Sequence, residues 1–486
     1  MSKCLSEDKI KMKRNQPLSN SAAESLDRMI CLNRIIEYNR EYYKANGTKR
    51  KAYILTFGCQ QNEADSEKLA GMAEAMGYEI VYEPENASLI VVNTCAIREH
   101  AEQKALSTIG QFKHLKEKNP DLIIAVCGCM VGQEHRQNDI KFKYPYVSFI
   151  FGTASLHRLP ELLFRSLTEK KRFYHTEEAS LSVAEGIPIK RNDPNKAWVS
   201  VMYGCNNFCS YCIVPYVRGR ERSRHPDDVY YEVKELVALG YKEITLLGQN
   251  VNSYGKNCDF NCSFSELLAR LATIEGDYKL RFMTSHPKDA TKELIDVMAG
   301  NDHIAKHFHL PMQSGSDKIL KAMNRHYDRE KYLETVNYIK EKMPECAITS
   351  DIIVGFPGES DEDFEDTLDM LRQVKFDMLY SFIYSPRKGT PAAEMEYQIP
   401  KEIQGTRFNR LLEVQNEIAL QKNSKLVGKT LTVLCDGESK TDKSTYSGRT
   451  ETNKIVFFSG EPSDTGQYVK IKIARAEAFA LYGEKI

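Results

Sequence analysis

Three cysteines in one short segment have the clearest chemical pattern in this chain. Cys205, Cys209 and Cys212 form a C-x3-C-x2-C triplet. Three thiolates from one loop can bind three irons of a [4Fe–4S] cluster and leave the fourth iron without a protein ligand. The alternative is a structural zinc site, which normally needs a fourth cysteine or histidine, and no obvious partner lies at zinc-like spacing. The triplet therefore favours an iron–sulfur cluster with one open iron.

A second group consists of Cys59, Cys95 and Cys129, which are separated by 36 and 34 residues. Each cysteine comes just after an apolar run that reads as a buried strand. Because the carboxyl ends of parallel strands meet at one edge of a sheet, we expect these three side chains to lie together. Their spacing alone is a weak signal, since buried structural cysteines are common.

Three further cysteines could compete for these roles. Cys127 lies two residues before Cys129, but it still belongs to the apolar strand, whereas Cys129 follows that strand and Gly128. Cys258 and Cys262 form a C-x3-C pair without a third cysteine, and we expect them to be surface thiols.

Composition and cysteine count limit the class of protein. Lys and Arg number 67 and Asp and Glu number 67, so the formal net charge is zero, which excludes a histone-like basic protein. The hydrophobic fraction of 42% and the charged fraction of 28% are those of a soluble globular chain. Residues 1–14 lack the apolar stretch of a secretory signal, and no window is apolar enough for a membrane helix. Thirteen cysteines without a secretory signal favour metal or catalytic chemistry, and we expect a cytoplasmic protein.

The length of 486 residues suggests about three domains at roughly 150 residues each. Residues 1–50 form an N-terminal extension with a helical pattern over 21–43, predicted to be a helix docked on the body. Residues 51–169 alternate strands and helices, which predicts a flavodoxin-like parallel α/β domain that carries Cys59, Cys95 and Cys129. The predicted strands of this domain are 52–57, 89–93, 122–127 and 147–151, and residues 170–195 are predicted to be a linker.

A second alternating series follows over 190–424. Its six predicted strands, 197–203, 243–248, 279–284, 307–311, 347–355 and 378–384, suit a partial or full TIM-type barrel. Such barrels have their active site at the carboxyl ends of the strands, and the cysteine triplet follows the first of them. A long helix is predicted from Lys401 to about Leu426. The tail, 425–486, alternates apolar and polar residues around glycine-containing turns, which predicts a small β-barrel with strands at 431–434, 446–449, 455–458 and 468–473.

The triplet and its barrel context resemble the radical S-adenosylmethionine enzymes. The resemblance implies that the open iron binds S-adenosylmethionine, which is cleaved reductively to a 5′-deoxyadenosyl radical. It also implies a cofactor contact for Tyr211, the aromatic residue beside the third cysteine. Gly248, Gln249 and Asn250 follow the second strand, where many members have a Gly-Gly-Glu-like segment that binds the cofactor's amino group. Ser285, Gln313 and Asp351, at the next three strands, are expected at the same mouth, whereas the turn at 355–359 suits cofactor contact and a plain βα loop equally.

When the sequence segments around Cys59, Cys95 and Cys129 are considered together with the triplet, the chain from about residue 51 to 486 resembles the methylthiotransferases. These radical enzymes convert a C–H bond to C–S–CH3. The resemblance implies that the three cysteines hold a second, auxiliary [4Fe–4S] cluster that supplies sulfur. It further implies two molecules of S-adenosylmethionine per turnover, one for methylation and one for the radical. No side chain is expected to act as a conventional nucleophile.

The segments Phe-Gly-Cys-Gln-Gln-Asn at 57–62 and Asn-Thr-Cys-Ala-Ile-Arg at 93–98 resemble the branch that acts on tRNA with N(6)-isopentenyladenosine at position 37. Rival substrates are tRNA with threonylcarbamoyladenosine and a ribosomal-protein aspartate, and an iron–sulfur RNA-binding sensor is the non-enzymatic alternative. The expected partners are tRNA, bound at its anticodon loop, and an electron-donor protein. The chain is expected to be a monomer and not to associate with a membrane.

Two groups of basic residues are candidates for RNA contact. The tail resembles a TRAM module, and its ten Lys and Arg against eight Asp and Glu give weak bulk attraction. Lys470, Lys472 and Arg475 nevertheless cluster late in it and can meet phosphates. A second group, Arg218, Arg220, Arg222 and Arg224, follows the triplet and suits either RNA or salt bridges and the cofactor carboxylate.

Overall fold

The computed structural model describes residues 20–97, 99–176, 183–256, 258–440 and 442–486, with side chains from residue 28 onward. Arg98, the last residue of one of the cysteine motifs, lies outside the described residues. The helix predicted in the extension is present as α1 (Asn20–Asn46). Its Ile35 is fully buried, while Met29 and Ile30 of the same pattern are exposed.

The first domain contains a six-stranded parallel sheet with strand order β2-β1-β3-β4-β5-β6. This is the flavodoxin-like arrangement, and it confirms the predicted fold class. Its elements in chain order are β1 (Lys51–Thr56), α2 (Gln60–Ala75), β2 (Glu79–Val81), β3 (Leu89–Thr94), α3 (Glu99–Gln111), α4 (Lys113–Lys118), β4 (Ile123–Gly128), α5 (Glu134–Lys143), β5 (Phe149–Phe151), α6 (Leu159–Glu169) and β6 (Phe173–His175). Every residue of β3 and β4 is buried, as expected for strands covered by helices on both faces.

The sequence analysis missed two short edge strands of this sheet. β2 lies in a segment to which no strand was assigned, and β6 lies inside the stretch predicted to be a linker. The helix α1 packs against α6, which ties the N-terminal extension to this domain.

The second domain is a partial barrel of six parallel strands, as predicted. Its elements are β7 (Lys196–Ser200), β8 (Met202–Tyr203), α7 (Val214–Arg218), β9 (Arg222–Ser223), α8 (Pro226–Ala238), β10 (Glu243–Leu247), α9 (Phe264–Leu271), β11 (Lys279–Phe282), α10 (Lys292–Ala299), β12 (His307–His309), α11 (Asp317–Ala322), α12 (Arg329–Lys342), β13 (Ala347–Val354), α13 (Asp361–Val374), β14 (Met378–Ile383) and α14 (Lys401–Ser424). Two three-stranded sheets, β11-β10-β7 and β12-β13-β14, are joined by a bridge between Leu280 and Ile304.

The C-terminal part is a closed five-stranded barrel with strand order β15-β16-β17-β19-β18. Its strands are β15 (Thr430–Glu438), β16 (Tyr446–Thr450), β17 (Ile455–Phe458), β18 (Tyr468–Ala476) and β19 (Leu481–Lys485). The small β-barrel was predicted, but its closing strand β19 was not. In the described part of the chain, no helix is long and apolar enough to cross a membrane.

Candidate active site

The three cysteines of the first domain lie at one edge of its sheet. Cys95 directly follows β3 and Cys129 directly follows β4, and the backbone N–H of Cys129 donates to the carbonyl of Thr94 at 2.8 Å. Cys59 precedes α2, three residues after the end of β1. A Cβ placed on Gly58 would lie 2.9 Å from the Cβ of Cys95, so these two loops are in close contact. The sheet therefore brings Cys59, Cys95 and Cys129 together, as the sequence analysis expected.

Two buried asparagines connect these loops, and the sequence analysis assigned them no role. Asn62 accepts a hydrogen bond from the Cys59 thiol at 3.4 Å, and its amide donates to the carbonyl of Thr94 at 3.0 Å. The same amide lies 3.2 Å from the side-chain oxygen of Asn93. Asn62 and Asn93 are fully buried. The signal available in the sequence was an asparagine within each of the two cysteine segments, 57–62 and 93–98. The fold buries both positions.

Cys127 lies in a different environment from Cys129. It is part of β4 and packs into the apolar core on one face of the sheet with Val91 and Phe149. Cys129 instead packs with Ala96, Ile213 and other residues near the second domain. This placement supports Cys129, rather than Cys127, as the candidate ligand.

The triplet follows β8 and forms a compact loop. The backbone N–H of Cys212 donates to the carbonyl of Cys209 at 2.9 Å, and that of Cys205 donates to the carbonyl of Gly219 at 3.1 Å. Phe208 has a φ of 47°, a left-handed backbone conformation that costs free energy for any residue other than glycine. The buried Arg325 donates to the sulfur of Cys209 at 3.4 Å.

Both cysteine groups suit iron–sulfur clusters by their chemistry. Burial raises the pKa of Cys129 and of Cys212 to about 12, and that of Cys205 to about 11. Thiols in such an environment stay protonated unless a cation binds them, and a metal ligand must be deprotonated. Among the described residues, no three His, Cys, Asp or Glu side chains are grouped around a single metal ion. A cube, in contrast, takes each thiolate on a different iron.

The carboxyl ends of β10 and β11 carry buried polar atoms that lack a protein partner. The side-chain amide of Asn250 donates to Asp289 at 2.7 Å, while its oxygen has no hydrogen-bond partner among the described residues. The hydroxyl of Ser285 and both polar side-chain atoms of Asn252 are likewise buried without a partner. Such orphaned groups are costly unless a ligand satisfies them, so this mouth has the character of a polar ligand site.

Gly248 and Gln249 belong to the same strand end. A Cβ on Gly248 would lie 2.5 Å from the side chain of Met202, so this position has no room for a larger residue. Gln249 is half-buried beside Asn250. Gly248 therefore sets the path of the backbone here, and the side chain of Asn250 reaches Asp289, which follows the next strand.

Gln313, four residues after β12, and Asp351, within β13, are neighbours. The backbone N–H of Gln313 donates to the carbonyl of Asp351 at 2.8 Å, and Gln313 has a φ of 70°. The next residue back, Met312, accepts a hydrogen bond from the hydroxyl of Tyr327 at 2.6 Å. The Tyr327 ring also contacts the ring of His286, which follows Ser285. These contacts connect Gln313 and Asp351 with the segment that contains Ser285.

Strained backbone is concentrated around this mouth. Nine residues other than glycine have a positive φ in the described part of the chain, and five of them flank the residues discussed above. These five are Phe208, Thr284, Gln313, Asn324 and His326. Strain of this kind persists where the surrounding structure holds a functional arrangement.

Tyr211 and the 355–359 turn pack together. Tyr211 lies against an apolar cluster that includes Phe356 and Met323. The carboxylate of Glu359 accepts hydrogen bonds from the backbone N–H of Gly355 at 2.8 Å and from Arg407 at 2.9 Å. Glu359 therefore closes its own loop, so the structure favours a βα-loop role for this turn.

The four arginines after the triplet do not form one surface patch. Arg218 and Arg224 are buried, and they pair with Asp65 and with Glu185 and Glu232, respectively. For these two residues the salt-bridge alternative is the correct one, because buried paired side chains cannot contact RNA. Arg220 is exposed and lies over the ring of Phe208, whereas Lys470, Lys472 and Arg475 of β18 are exposed.

Residues of the first cysteine group and residues that follow the triplet pack together across the domain boundary. Ala96, beside Cys95, and Cys129 pack directly against Ile213, the residue after Cys212, and against Val217. On one side of this contact, Arg387 donates to the carbonyl of Ile97 at 2.9 Å. Both candidate cluster sites therefore lie close to one boundary between the first domain and the barrel mouth.

Comparisons with known families match the three parts of the chain. The Radical SAM superfamily matches residues 199–371, the family described as "Uncharacterized protein family UPF0004" matches 51–152, and the TRAM domain matches 424–486.

Two similar relatives are each named tRNA-2-methylthio-N(6)-dimethylallyladenosine synthase. The relative from Caldicellulosiruptor saccharolyticus is 51% identical, over 93% of this chain and 96% of its own length. One from Clostridium botulinum is 52% identical, over 89% of this chain and 96% of its own length.

Solved structures share the fold at low identity. A radical S-adenosylmethionine methyltransferase from Kitasatospora setae, solved with tryptophan and a cofactor analogue, superposes with a TM-score of 0.52. It is 14% identical, and the match covers 71% of this chain and 75% of that chain. A cobalamin-dependent radical enzyme has a TM-score of 0.51 and 12% identity, with coverage of 76% and 56%. At this identity the likeness concerns the fold alone.

Proposed function

The chain belongs to the family of radical S-adenosylmethionine tRNA methylthiotransferases named tRNA-2-methylthio-N(6)-dimethylallyladenosine synthase, and we propose that it converts N(6)-isopentenyladenosine at position 37 of tRNA to its 2-methylthio derivative. The single observation that carries this proposal is that Cys129 of the first group packs against Ile213, the residue after Cys212 of the triplet, across the domain boundary. A reaction that moves sulfur from one cluster to a carbon activated at another needs both at one substrate. The names of the relatives favour this substrate over threonylcarbamoyladenosine tRNA, a ribosomal protein and a sensor role.

Membership of the radical family brings one [4Fe–4S] cluster and S-adenosylmethionine, for which the triplet Cys205, Cys209 and Cys212 is the proposed binding loop. Cys59, Cys95 and Cys129 are the proposed ligands of a second cluster. When bound, these groups supply radical generation and the sulfur atom. The protein side chains have the other tasks: they bind, orient and exclude water.

Contacts of the chain support specific roles at the barrel mouth. The unpartnered oxygen of Asn250 and the hydroxyl of Ser285 are proposed to bind the polar groups of S-adenosylmethionine. Tyr211 is proposed to pack near the adenine, since it covers the apolar side of the loop. Gln249, Gln313 and Asp351, together with the backbone at Gly248, are proposed to line the same site.

A groove beside this boundary is a suitable surface for the anticodon loop. It has a volume of about 460 Å³ and is lined by Gln133, His135, Tyr216, Lys388 and neighbouring residues. Tyr216 is 50% exposed and contacts the ring of Phe208. An exposed aromatic side chain next to a cation suits a splayed base and its phosphate. The target base must leave its stack to reach the reacting atoms. Reduction of the clusters is assigned to an electron-donor protein, and the cytoplasm, where tRNA lies, is the proposed location.

The cysteine assignment is tested by comparing variants from the two groups. Cys59→Ala is expected to retain reductive cleavage of S-adenosylmethionine, measured as 5′-deoxyadenosine, and to form no methylthio product. Cys209→Ala is expected to lose both. Cys258→Ala is a matched control from outside both groups, and it is expected to retain both activities. Full methylthiolation by Cys59→Ala would contradict the auxiliary-cluster assignment.

The substrate is tested with tRNA that carries either modification. Purified and reconstituted protein is incubated anaerobically with S-adenosylmethionine, a reductant and one of the two tRNAs, and the nucleosides are analysed by mass spectrometry. We expect 2-methylthio product only with isopentenyladenosine tRNA. Product from the threonylcarbamoyl substrate alone would overturn the proposal, and mass spectrometry of tRNA from a strain lacking the gene tests the same conclusion in the cell.

A further inference from the structure

Arg218 is an arginine of the barrel domain whose side chain reaches into the other domain. It is the last residue of α7, six residues after Cys212, and its side chain is 3% exposed. Its Nε atom donates to the sulfur of Cys129 at 3.1 Å. Cys129 is a proposed ligand of the auxiliary cluster, whereas α7 directly follows the loop proposed for the radical cluster.

The rest of the guanidinium is held by the network beneath the other cysteines. Its Nη2 atom donates to Asp65 at 3.0 Å and to the side-chain oxygen of Asn62 at 3.2 Å. That oxygen also accepts the hydrogen bond from the Cys59 thiol. Arg218 thus contacts one cysteine of the first domain directly and is connected to a second through the side-chain oxygen of Asn62.

Burying such a charge pair is expensive, and it is weak evidence for stability by itself. Asp65 is 1% exposed, and replacing a fully buried ion pair by apolar side chains is often neutral or stabilising. Stability alone therefore gives little reason for this arrangement. A hydrogen bond and a positive charge at a cluster thiolate have a definite consequence, because they stabilise the more negative reduced state of the cluster.

We propose that Arg218 is a positioning residue of the auxiliary cluster, supplied by the domain that holds the other cluster. Its N–H···S bond to Cys129 raises the reduction potential of the auxiliary cluster and fixes that cluster against the triplet loop. The inference rests on the proposed function, in which Cys59, Cys95 and Cys129 hold that cluster. By this inference, the contact between the two domains sets the reduction potential of the auxiliary cluster as well as its position.

The test isolates the auxiliary cluster in the full chain. A background with Cys205→Ala, Cys209→Ala and Cys212→Ala is reconstituted anaerobically, and iron and sulfide content, the electron paramagnetic resonance spectrum of the reduced cluster and its midpoint potential are measured. Into this background we place Arg218→Met, Arg218→Lys and the matched control Arg220→Met, whose exposed parent side chain lies two residues further along the same segment.

We expect Arg218→Met to shift the midpoint to a more negative potential and to change the spectrum. Arg218→Lys keeps the charge without the fork of donors, so an intermediate shift is expected, and Arg220→Met should leave both measurements at the background values. Asp65→Asn removes the carboxylate but not the arginine, and it should shift the midpoint in the opposite, more positive direction.

The outcomes separate the inference from the function on which it rests. A background protein that binds no iron would overturn the proposed auxiliary cluster itself. A cluster whose midpoint and spectrum are the same with Arg218→Met would overturn only the role of Arg218. If Arg218→Met loses the cluster, the Arg218→Lys and Asp65→Asn shifts decide, and a midpoint unchanged in both variants would overturn the inference.

Discussion

Gly128 determines how Cys129 enters the edge of the sheet. It is the last residue of β4 and has a φ of +96°, a conformation open to glycine. A Cβ at this position would lie 2.3 Å from the carbonyl oxygen of Thr94 and 2.5 Å from the side chain of Asn93. We therefore expect Gly128→Ala to displace the loop of Cys129 and to reduce the iron bound at the auxiliary site by at least half.

Gly240 offers a matched control for that substitution. Its φ is +88°, but nothing lies within 4 Å of a Cβ placed on it. Both alanine variants incur the left-handed strain of about 1–2 kcal/mol, while only Gly128→Ala adds the clash. Iron content and urea unfolding of the two proteins give the comparison. Equal iron content in both variants would show that the contacts around Gly128 do not position Cys129.

Single residues also mark the limit of what the sequence could predict about the site. The two cysteine groups could be predicted because their spacing, their position after strands and the surrounding motifs are all local features of the sequence. Arg218 was grouped with its neighbours in sequence as one basic patch, although burial and pairing separate it from Arg220. Partners such as Asp65 and Asn62 come from another domain, and no periodicity in one segment predicts a contact of that kind.

At the scale of elements, the strong patterns were predicted and the short ones were not. The runs 89–92 in β3 and 123–127 in β4 are apolar and buried, and the alternation of such runs with helices predicted both parallel folds. β2 and β6 have three residues each, which is too short for any periodicity to be distinguished from a loop. β19 reads Leu-Tyr-Gly-Glu-Lys, which has no clean alternation of apolar and polar residues. It forms a strand because it pairs with both β17 and β18 and so closes the barrel.

The missed strand β19 provides a test of the C-terminal barrel. Leu481 is fully buried in the barrel core, and β19 pairs with both β17 and β18. Removal of residues 481–486 would expose two strand edges and the core, which costs several kcal/mol in a domain of this size. We expect tRNA affinity in filter binding to fall at least tenfold, while 5′-deoxyadenosine formation without tRNA is retained.

The control for this truncation removes Ile486 alone. That residue is 68% exposed and lies beyond the end of β19, so its loss should leave both measurements within twofold of the parent. If the longer truncation binds tRNA as the parent does, the C-terminal barrel does not contribute to tRNA affinity.

At the scale of the whole molecule, the C-terminal barrel is attached to the end of the central barrel opposite the site. Tyr468 donates to the carbonyl of Lys242, just before β10, and Arg281 of β11 donates to the carbonyls of Thr450 and Glu451. These contacts lie at or near the amino ends of the strands, whereas the cysteine triplet and its neighbours lie at the carboxyl ends. In the proposed function, RNA that binds to the C-terminal barrel is therefore held at a distance from the target base.

Asp377 forms the central ion pairs of the junction between the C-terminal barrel and the second domain. It lies just before β14, is 7% exposed, and pairs with Lys422 of α14 and, at 2.8 Å, with Lys454 of the C-terminal barrel. Burial raises the pKa of Asp377, but the two lysines outweigh it, so the net pKa lies below its usual 3.8. The folded-state pKa is therefore lower than that of the unfolded chain. The stabilisation is fully present above about pH 4 and is lost only as the pH falls through the folded-state value.

We accordingly expect Asp377→Asn to destabilise the protein by about 2–3 kcal/mol, below the roughly 3–5 kcal/mol of a fully buried pair because Lys422 is 29% exposed. The single tryptophan, Trp198 in β7, reports urea unfolding of the central barrel by fluorescence. Asp436→Asn removes a more exposed pair with Lys196 at the same junction and should cost at most about 1 kcal/mol. Because Asp377 stays ionised throughout pH 5–8, the difference between Asp377→Asn and the parent should be constant over that range. A difference that shrinks as the pH falls from 8 to 5 would mean that the carboxylate titrates in this window and that the two lysines do not hold it ionised.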